Sequence, residues 1–358
     1  MHLAWVELPH PPLTYYDSLL HELRLRHHVV HELTVSRQQK HRSELWRGGN
    51  ATALLGSVDI VVVAFGYFTD EVRAPPALPP FQKADGGGRI GASLCGRRPL
   101  VVLLNKEYVL LHEKLSWLRQ HCVSAVLTMH HNASQFEQHT GIRVHRITFG
   151  VNELRFASAI SGGDDFDLGF SGTVRGDQTA DWRSRIWHHS WRRLHARGLR
   201  LFSGFTPTHQ TSQRGVASLP LSDDQYVSTL QRSRLWLTTT GPSDLVGTRF
   251  FEIFATGSTL CICNRLSTAA YTTLGIVDGV HALMFSSLAE FESLVYNYSR
   301  LPELRDTARA IARNAQRLVH ERFTWRHVAT HLHDVMHDVL KQLQRTSKSR
   351  AVGGVGNF

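Results

Sequence analysis

One acid in this chain is surrounded by aromatics. Glu252 sits in the run Phe250-Phe251-Glu252-Ile253-Phe254. Burying an ionised carboxylate there is costly unless something binds it, so the residue implies either a ligand or a fixed structural partner. Immediately upstream, Val246-Gly247-Thr248 opens a helical pattern, and such an opening presents backbone amides to an anion. A capping box does not account for the acid: with Thr248 as N-cap, the N3 position is Phe251. Arg249, one residue into the helix, lies at the same end. A second place for chemistry is Met129-His130-His131, which follows a strand-like stretch directly, at the carboxyl end where α/β proteins bind ligands.

Other clusters carry less. His327/His331 and His333/His337 fall at i,i+4, but Val328, Leu332, Val335 and Val339 already form an apolar stripe there. These histidines are expected to flank a packed face, and no metal site is expected. The four cysteines show no metal-site spacing. Gly86-Gly87-Gly88 has no strand before it and no helix after it, and reads as part of an irregular loop over 70–98. The stretch 182–200 interleaves tryptophan with arginine, which suits a peripheral membrane contact. Trp182, Ile186, Ser190/Trp191 and Leu194 nevertheless share one helical face, which favours packing on a sheet.

The elements that must position these residues alternate almost throughout. Strands are predicted at 2–8, 59–65, 99–105, 124–129 and 144–150, with helices near 14–30 and 109–121. A second series follows: strands at 166–173, 199–205, 234–240, 259–265 and 281–285, and helices near 181–197, 223–232, 248–256, 288–298 and 302–321. The small, polar stretch 157–165 separates the two series. The fold class is therefore α/β, with two tandem Rossmann-like domains over 1–156 and 166–322. An amphipathic helix over 323–345 is expected to brace them, followed by a flexible tail over 346–358. The 358 residues suit two domains, and 42% hydrophobic with 20% charged residues describes a globular protein. No apolar run approaches the roughly 18 residues that span a bilayer, and the N-terminus lacks the pattern of a secretory signal. A reducing, cytoplasmic setting is expected, where the sequons at Asn50, Asn132 and Asn297 have no use. The net charge of +10 fits an anionic partner or a scattered arginine excess, and no nucleic-acid-binding motif accompanies it.

Several stretches, in order, resemble group 1 (family 4-like) glycosyltransferases of the GT-B architecture. Residues 147–156 (ITFGVNELRF) resemble the segment closing the first domain, and 166–176 (FDLGFSGTVRG) the opening strand and loop of the second. Residues 243–265 (SDLVGTRFFEIFATGSTLCICNR) are similar to the donor-binding helix and following strand, with its E-x7-E pattern. Residues 278–285 (DGVHALMF) resemble the next segment, and 323–332 (FTWRHVATHL) the tail helix of the CgeB-like branch. The resemblance covers about 144–335. It implies that Glu252 accepts hydrogen bonds from a nucleotide ribose. It places Asp244, eight residues earlier, on hydroxyls of the transferred sugar, one methylene short of the usual glutamate. Arg175 resembles the pyrophosphate contact, with Gly172, Gly247, Thr248 and Arg249 lining the donor site. In the first domain, Asn105 stands where many members end a strand in His or Asp, and asparagine cannot act as a general base. Lys106, Glu107, His130 and His131 are further candidates at that edge, with His130 the one carried forward as catalytic. The family's glycine-rich loop after the first strand is replaced by 9–14 (PHPPLT). Asp165-Phe166-Asp167 has the letters of a metal-binding D-x-D, but its place at the start of a second-domain strand argues against that role.

The function implied is transfer of a sugar from a nucleotide-sugar donor to a glycan, protein or lipid acceptor, with retention, without metal and without a cofactor. The alternative is a catalytically inert GT-B-like protein that binds nucleotide or sugar, which Asn105 and the missing glycine loop favour.

Overall fold

The computed structural model describes residues 1–7, 14–37, 44–47, 57–64, 98–104, 110–157, 165–172, 174, 181–204, 222–241 and 244–353. The chain divides into two compact units, one of Met1–Thr148 with Arg326–Phe358 and one of Phe149–Trp325.

The first unit is built on a seven-stranded sheet of order β3-β2-β1-β4-β5-β6-β7. Its strands are β1 (His2–Glu7), β2 (Val29–Arg37), β3 (Glu44–Arg47), β4 (Ile60–Val63), β5 (Leu100–Leu104), β6 (Ala125–Thr128) and β7 (Val144–Arg146). Six run parallel; β3 pairs antiparallel to β2 at the edge, Thr34 opposite Arg47. β4 (IVVV) and β5 (LVVLL) are apolar at every position and buried at every position, as strands covered on both faces must be. Helices α1 (Thr14–Leu25), α2 (Leu111–Gln120) and α3 (Ala133–Thr140) connect them, and Trp117 and Leu118 of α2 join the core around Val61, Val63 and Val102. β2 and β3 were not anticipated from the sequence.

The second unit holds α4 (Glu153–Phe156), β8 (Phe166–Ser171), α5 (Trp182–Arg185), a π-helical turn (Ile186–Ser190), α6 (Trp191–Ala196) and β9 (Leu201–Gly204). Then follow α7 (Asp223–Gln231), β10 (Ser233–Leu237), α8 (Thr248–Thr256), β11 (Leu260–Asn264), β12 (Leu283–Phe285), α9 (Leu288–Arg300) and α10 (Arg305–Arg322). Its sheet has order β12-β11-β10-β8-β9, all parallel, so the two units together give the double parallel-sheet class predicted. Gly169, mid-strand in β8, is glycine for a packing reason: the Trp236 ring lies 2.1 Å from where a Cβ would stand. Along α5, the π turn and α6, Ile186, Ser190 and Leu194 are buried while His188, His189, Arg192 and Arg193 face solvent. Trp182, Trp187 and Trp191 are half-buried against the core, so this segment packs on its sheet as preferred above.

The final helix, α11 (Trp325–Gly353), runs eight residues beyond the predicted end at 345, so the stretch expected to be a flexible tail begins as helix. From Arg326 onward it counts with the first unit. Val328, Leu332, Val335, Met336 and Val339 are its buried face. His333 Nδ1 meets His28 Nε2 at 2.9 Å and stacks on His337, while His331 lies edge-on to His145. The histidines thus flank the packed face. Residues 149–157 belong to the second unit, and 158–164 of the small polar stretch lie outside the described residues. Where the second unit begins and ends, its two extremities meet in a bridge between Val151 and Thr324, with Val151 N donating to Phe323 O at 3.0 Å. Cys261 and Cys263 are free and buried. Among the described residues, no helix is long and apolar enough to cross a membrane.

Candidate functional site

In the second unit the strand order reverses between β8 and β10: β9 is laid on one side of β8, and β10, β11 and β12 on the other. Parallel sheets bind ligands outside the carboxyl ends of the strands at such a switch point, because the loops there diverge and leave a crevice. Here that point is formed by Ser171-Gly172 after β8 and Thr238–Gly241 after β10.

Two cations converge on it. A Cβ on Gly172 would lie 3.0 Å from Arg183 Nη1 and 3.2 Å from Arg249 Nη1. Gly172 also has φ +132°, a backbone shape that side-chain-bearing residues rarely adopt. Arg183 arrives from the first turn of α5, a helix capped by Asp181, whose carboxylate accepts from Ser184 N at 2.7 Å. Its Nη2 donates to the Thr239 hydroxyl at 3.2 Å, and its guanidinium stands 5.9 Å from the Phe170 ring centre. Arg249 arrives from the first turn of α8. That helix has Gly247, not Thr248, as its N-cap, and the cap residue has no side chain to close over the first amides.

Asp244 occupies the loop between β10 and α8 with φ +59°, one of few non-glycine residues here in the left-handed region. Gly241 N donates to Leu245 O at 2.8 Å, closing a turn around it. Asn264, at the end of β11, accepts from Thr240 N at 3.1 Å and pins the neighbouring loop.

Glu252 has a protein partner. Its Oε2 accepts from the Tyr226 hydroxyl at 2.8 Å, while Phe250, Phe251, Ile253 and Phe254 around it are fully buried. With Gly247 as cap, Glu252 is the fifth helical residue, beyond the first turn where the helix dipole is strongest. Burial and the Glu252 carboxylate push the Tyr226 pKa well above its ordinary value, with Arg249 pulling the other way.

The D-x-D letters are accounted for by arginines at the opposite, amino end of β8. Asp167 is fully buried. It accepts from Arg200 N at 2.8 Å, and the Arg200, Arg300 and Arg234 guanidinium groups lie 3.4, 3.6 and 3.9 Å from it. Asp165 pairs with Arg232.

In the first unit, His130 is buried just past β6. Its Nδ1 accepts from Asn132 N at 3.2 Å, so any proton it exchanges passes through Nε2. Its ring stacks on His131 with centres 4.4 Å apart. Arg175, Asn105, Lys106, Glu107 and residues 9–13 lie outside the described residues. The structure therefore brings Gly172, Arg249, Gly247 and Thr248 to one sheet edge with Asp244 and Glu252 nearby in the chain, and His130 to the other unit. Sequence reasoning missed Arg183, Tyr226, Thr239 and Asn264. Arg183 was hidden among the many arginines of 182–200, and Tyr226 lies 26 residues from Glu252 in a different helix.

Residues 176–334 match the protein family described as glycosyl transferase-like. No curated protein matches the chain in sequence. Among solved structures, the chain is similar in fold to Anabaena HepE in complex with UDP and glucose, at TM-score 0.60 and 12% identity over 94% of this chain and 100% of that one. A glycosyltransferase from Rickettsia africae gives TM-score 0.61 at 9% identity, covering 95% and 98%. A DNA-modifying β-glucosyltransferase gives 0.53 at 9%, covering 95% and 100%. The chain thus has the GT-B glycosyltransferase fold and contains a glycosyl transferase-like domain. No finding singles out the CgeB-like branch.

Proposed function

We propose that the second unit binds a nucleoside diphosphate sugar and that the protein transfers the sugar to an acceptor hydroxyl. The observation that carries this reading is the convergence of Arg183 and Arg249 over Gly172 at the switch point of a parallel sheet. Two guanidinium groups gathered at the carboxyl ends of a parallel sheet suit an anion, and a diphosphate is one that fits there. The first amides of α8 add to the same charge, and Arg175 is the further contact that the family resemblance implies. Glu252 takes the ribose and Asp244 the sugar hydroxyls. Uridine is the first base to test, because HepE is described with UDP and with glucose.

In the reaction, the bond between the anomeric carbon and the β-phosphate oxygen breaks as the acceptor oxygen bonds to that carbon. Attack from the leaving-group face retains configuration and lets the departing phosphate accept the acceptor's proton. No strong enzymic base is then needed, which suits Asn105. Arginine and backbone amides meet the leaving-group charge, so no metal or cofactor is required. The acceptor belongs to the first unit, where His130 stands just past β6 and Asn105 follows β5 in the sequence. A second reading, an inert nucleotide- or sugar-binding protein, is favoured by Asn105 and by the prolines standing where the family has a glycine loop.

Incubation with a panel of nucleotide sugars, read by mass spectrometry for slow release of free sugar, separates the readings without an acceptor. Turnover that persists in chelator supports the transferase. Binding without turnover supports the inert protein. If Glu252→Gln leaves UDP and uridine affinity unchanged, the site is misassigned.

A further inference from the structure

We propose that Tyr226 is a positioning residue for donor binding, holding the Glu252 carboxylate aimed for the nucleotide ribose. The inference rests on the donor-site reading above and assigns a new role within that site.

Three observations carry it. The Tyr226 hydroxyl donates to Glu252 Oε2 at 2.8 Å. The phenol ring is fixed edge-on between Phe156 and Trp236, with ring centres 6.3 and 5.9 Å away, so the donor is delivered at a set point rather than by a swinging side chain. Its partner is half-buried on a helix whose neighbouring Phe250, Phe251, Ile253 and Phe254 are fully buried, so the backbone that carries the carboxylate is fixed in the core. A carboxylate accepts from a diol through oxygens held in one orientation, and a fixed hydroxyl donor on Oε2 sets that orientation.

The groups facing the pair agree. Arg249, on the helix of Glu252, is the nearby cation acting on Tyr226, and Ser171, at the end of β8, faces the hydroxyl. Burial and the neighbouring carboxylate keep Tyr226 protonated far above neutral pH, so the donor never switches off in the working range.

The test is calorimetric titration of UDP at pH 7 into the full chain as wild type, Tyr226→Phe, Glu252→Gln and the double variant. Phenylalanine keeps the ring packing, so the melting curve of Tyr226→Phe should match wild type. UDP affinity of Tyr226→Phe should fall about five- to twentyfold. In the Glu252→Gln background the same change should have no effect. Wild-type affinity in Tyr226→Phe overturns the inference while leaving the donor site intact. An equal loss in both backgrounds also overturns it, since that marks packing rather than positioning. Failure of wild type to bind UDP, or indifference to Glu252→Gln, overturns the donor reading and this inference with it.

Discussion

The two ends of β8 use arginine in opposite ways. At the amino end, three guanidinium groups gather around Asp167, which is fully buried and also accepts a backbone N–H. The charges there are compensated inside the protein. At the carboxyl end, five residues along from Asp167, two guanidinium groups close on a glycine. On the donor-site reading proposed above, the difference separates architecture from recognition. An arginine cluster built around its own carboxylate contributes to the fold; one drawn up over a residue without a side chain has a glycine where a Cβ would collide with it. Counting arginines could not distinguish them, whereas the residue at the centre does.

The comparison can be broken most severely at Asp167. Asp167→Ala leaves three arginines without their acid and an amide without its acceptor, and should cost about 3 kcal/mol of stability by urea denaturation. UDP affinity of the folded variant should not change. At the other end the signs reverse. Gly172→Ala puts a methyl group against both guanidinium groups at an unfavourable φ, and UDP affinity should fall roughly ten- to hundredfold, with a smaller loss of stability. Arg183→Ala sharpens the point: UDP should weaken about tenfold in calorimetric titration while uridine, which lacks the diphosphate, binds as before. If uridine weakens equally, Arg183 holds the fold instead of a phosphate.

The smallest expected effect concerns pH and the first unit. Burial, followed by His333, the N-terminal ammonium and Arg26, lowers the His28 pKa from 6.5 to about 4. The fold favours the neutral ring, whereas the unfolded chain takes up a proton near pH 6.5. Stability from this group is therefore present above pH 6.5 and declines as pH falls toward 4. Denaturant midpoints at pH 7.5, 6 and 5 should decrease in that order, and His28→Phe should flatten the trend. No change in slope would mean that other groups set the acid limit.

Legibility divided along the same lines. Every strand of the second sheet was visible, because stretches such as Leu260–Asn264 are short, apolar and bounded by turn residues. β2 escaped because Val29–Arg37 follows α1 after a short turn and mixes His31, Glu32, Ser36 and Arg37 into its run. β3 has only four residues and lies at the edge. At the site, Asp244, Gly247, Arg249 and Glu252 were legible because they share one local motif. Arg183 was not, since five arginines fall between 183 and 197 and only the direction of the first helical turn selects one of them. Tyr226 gives no local signal, because its meaning lies in a contact made by tertiary packing. The helix cap was misplaced by one residue, and the partner that the sequence left open for Glu252 is, within the protein, the Tyr226 hydroxyl.

The division of the chain into a continuous second unit and a split first one governs the order of events during synthesis. The face of the first unit that receives α11, with His28 and Arg26 on it, is translated early, but its covering helix emerges only after the whole of Phe149–Trp325. At about 5–20 residues per second, that interval is on the order of ten to thirty seconds. The second unit can complete its sheet on the ribosome from consecutive sequence, whereas the first must keep apolar surface open for the duration. A nascent chain stalled before Arg326 should thus present a finished second unit and an unfinished first, the half on which chaperones would act.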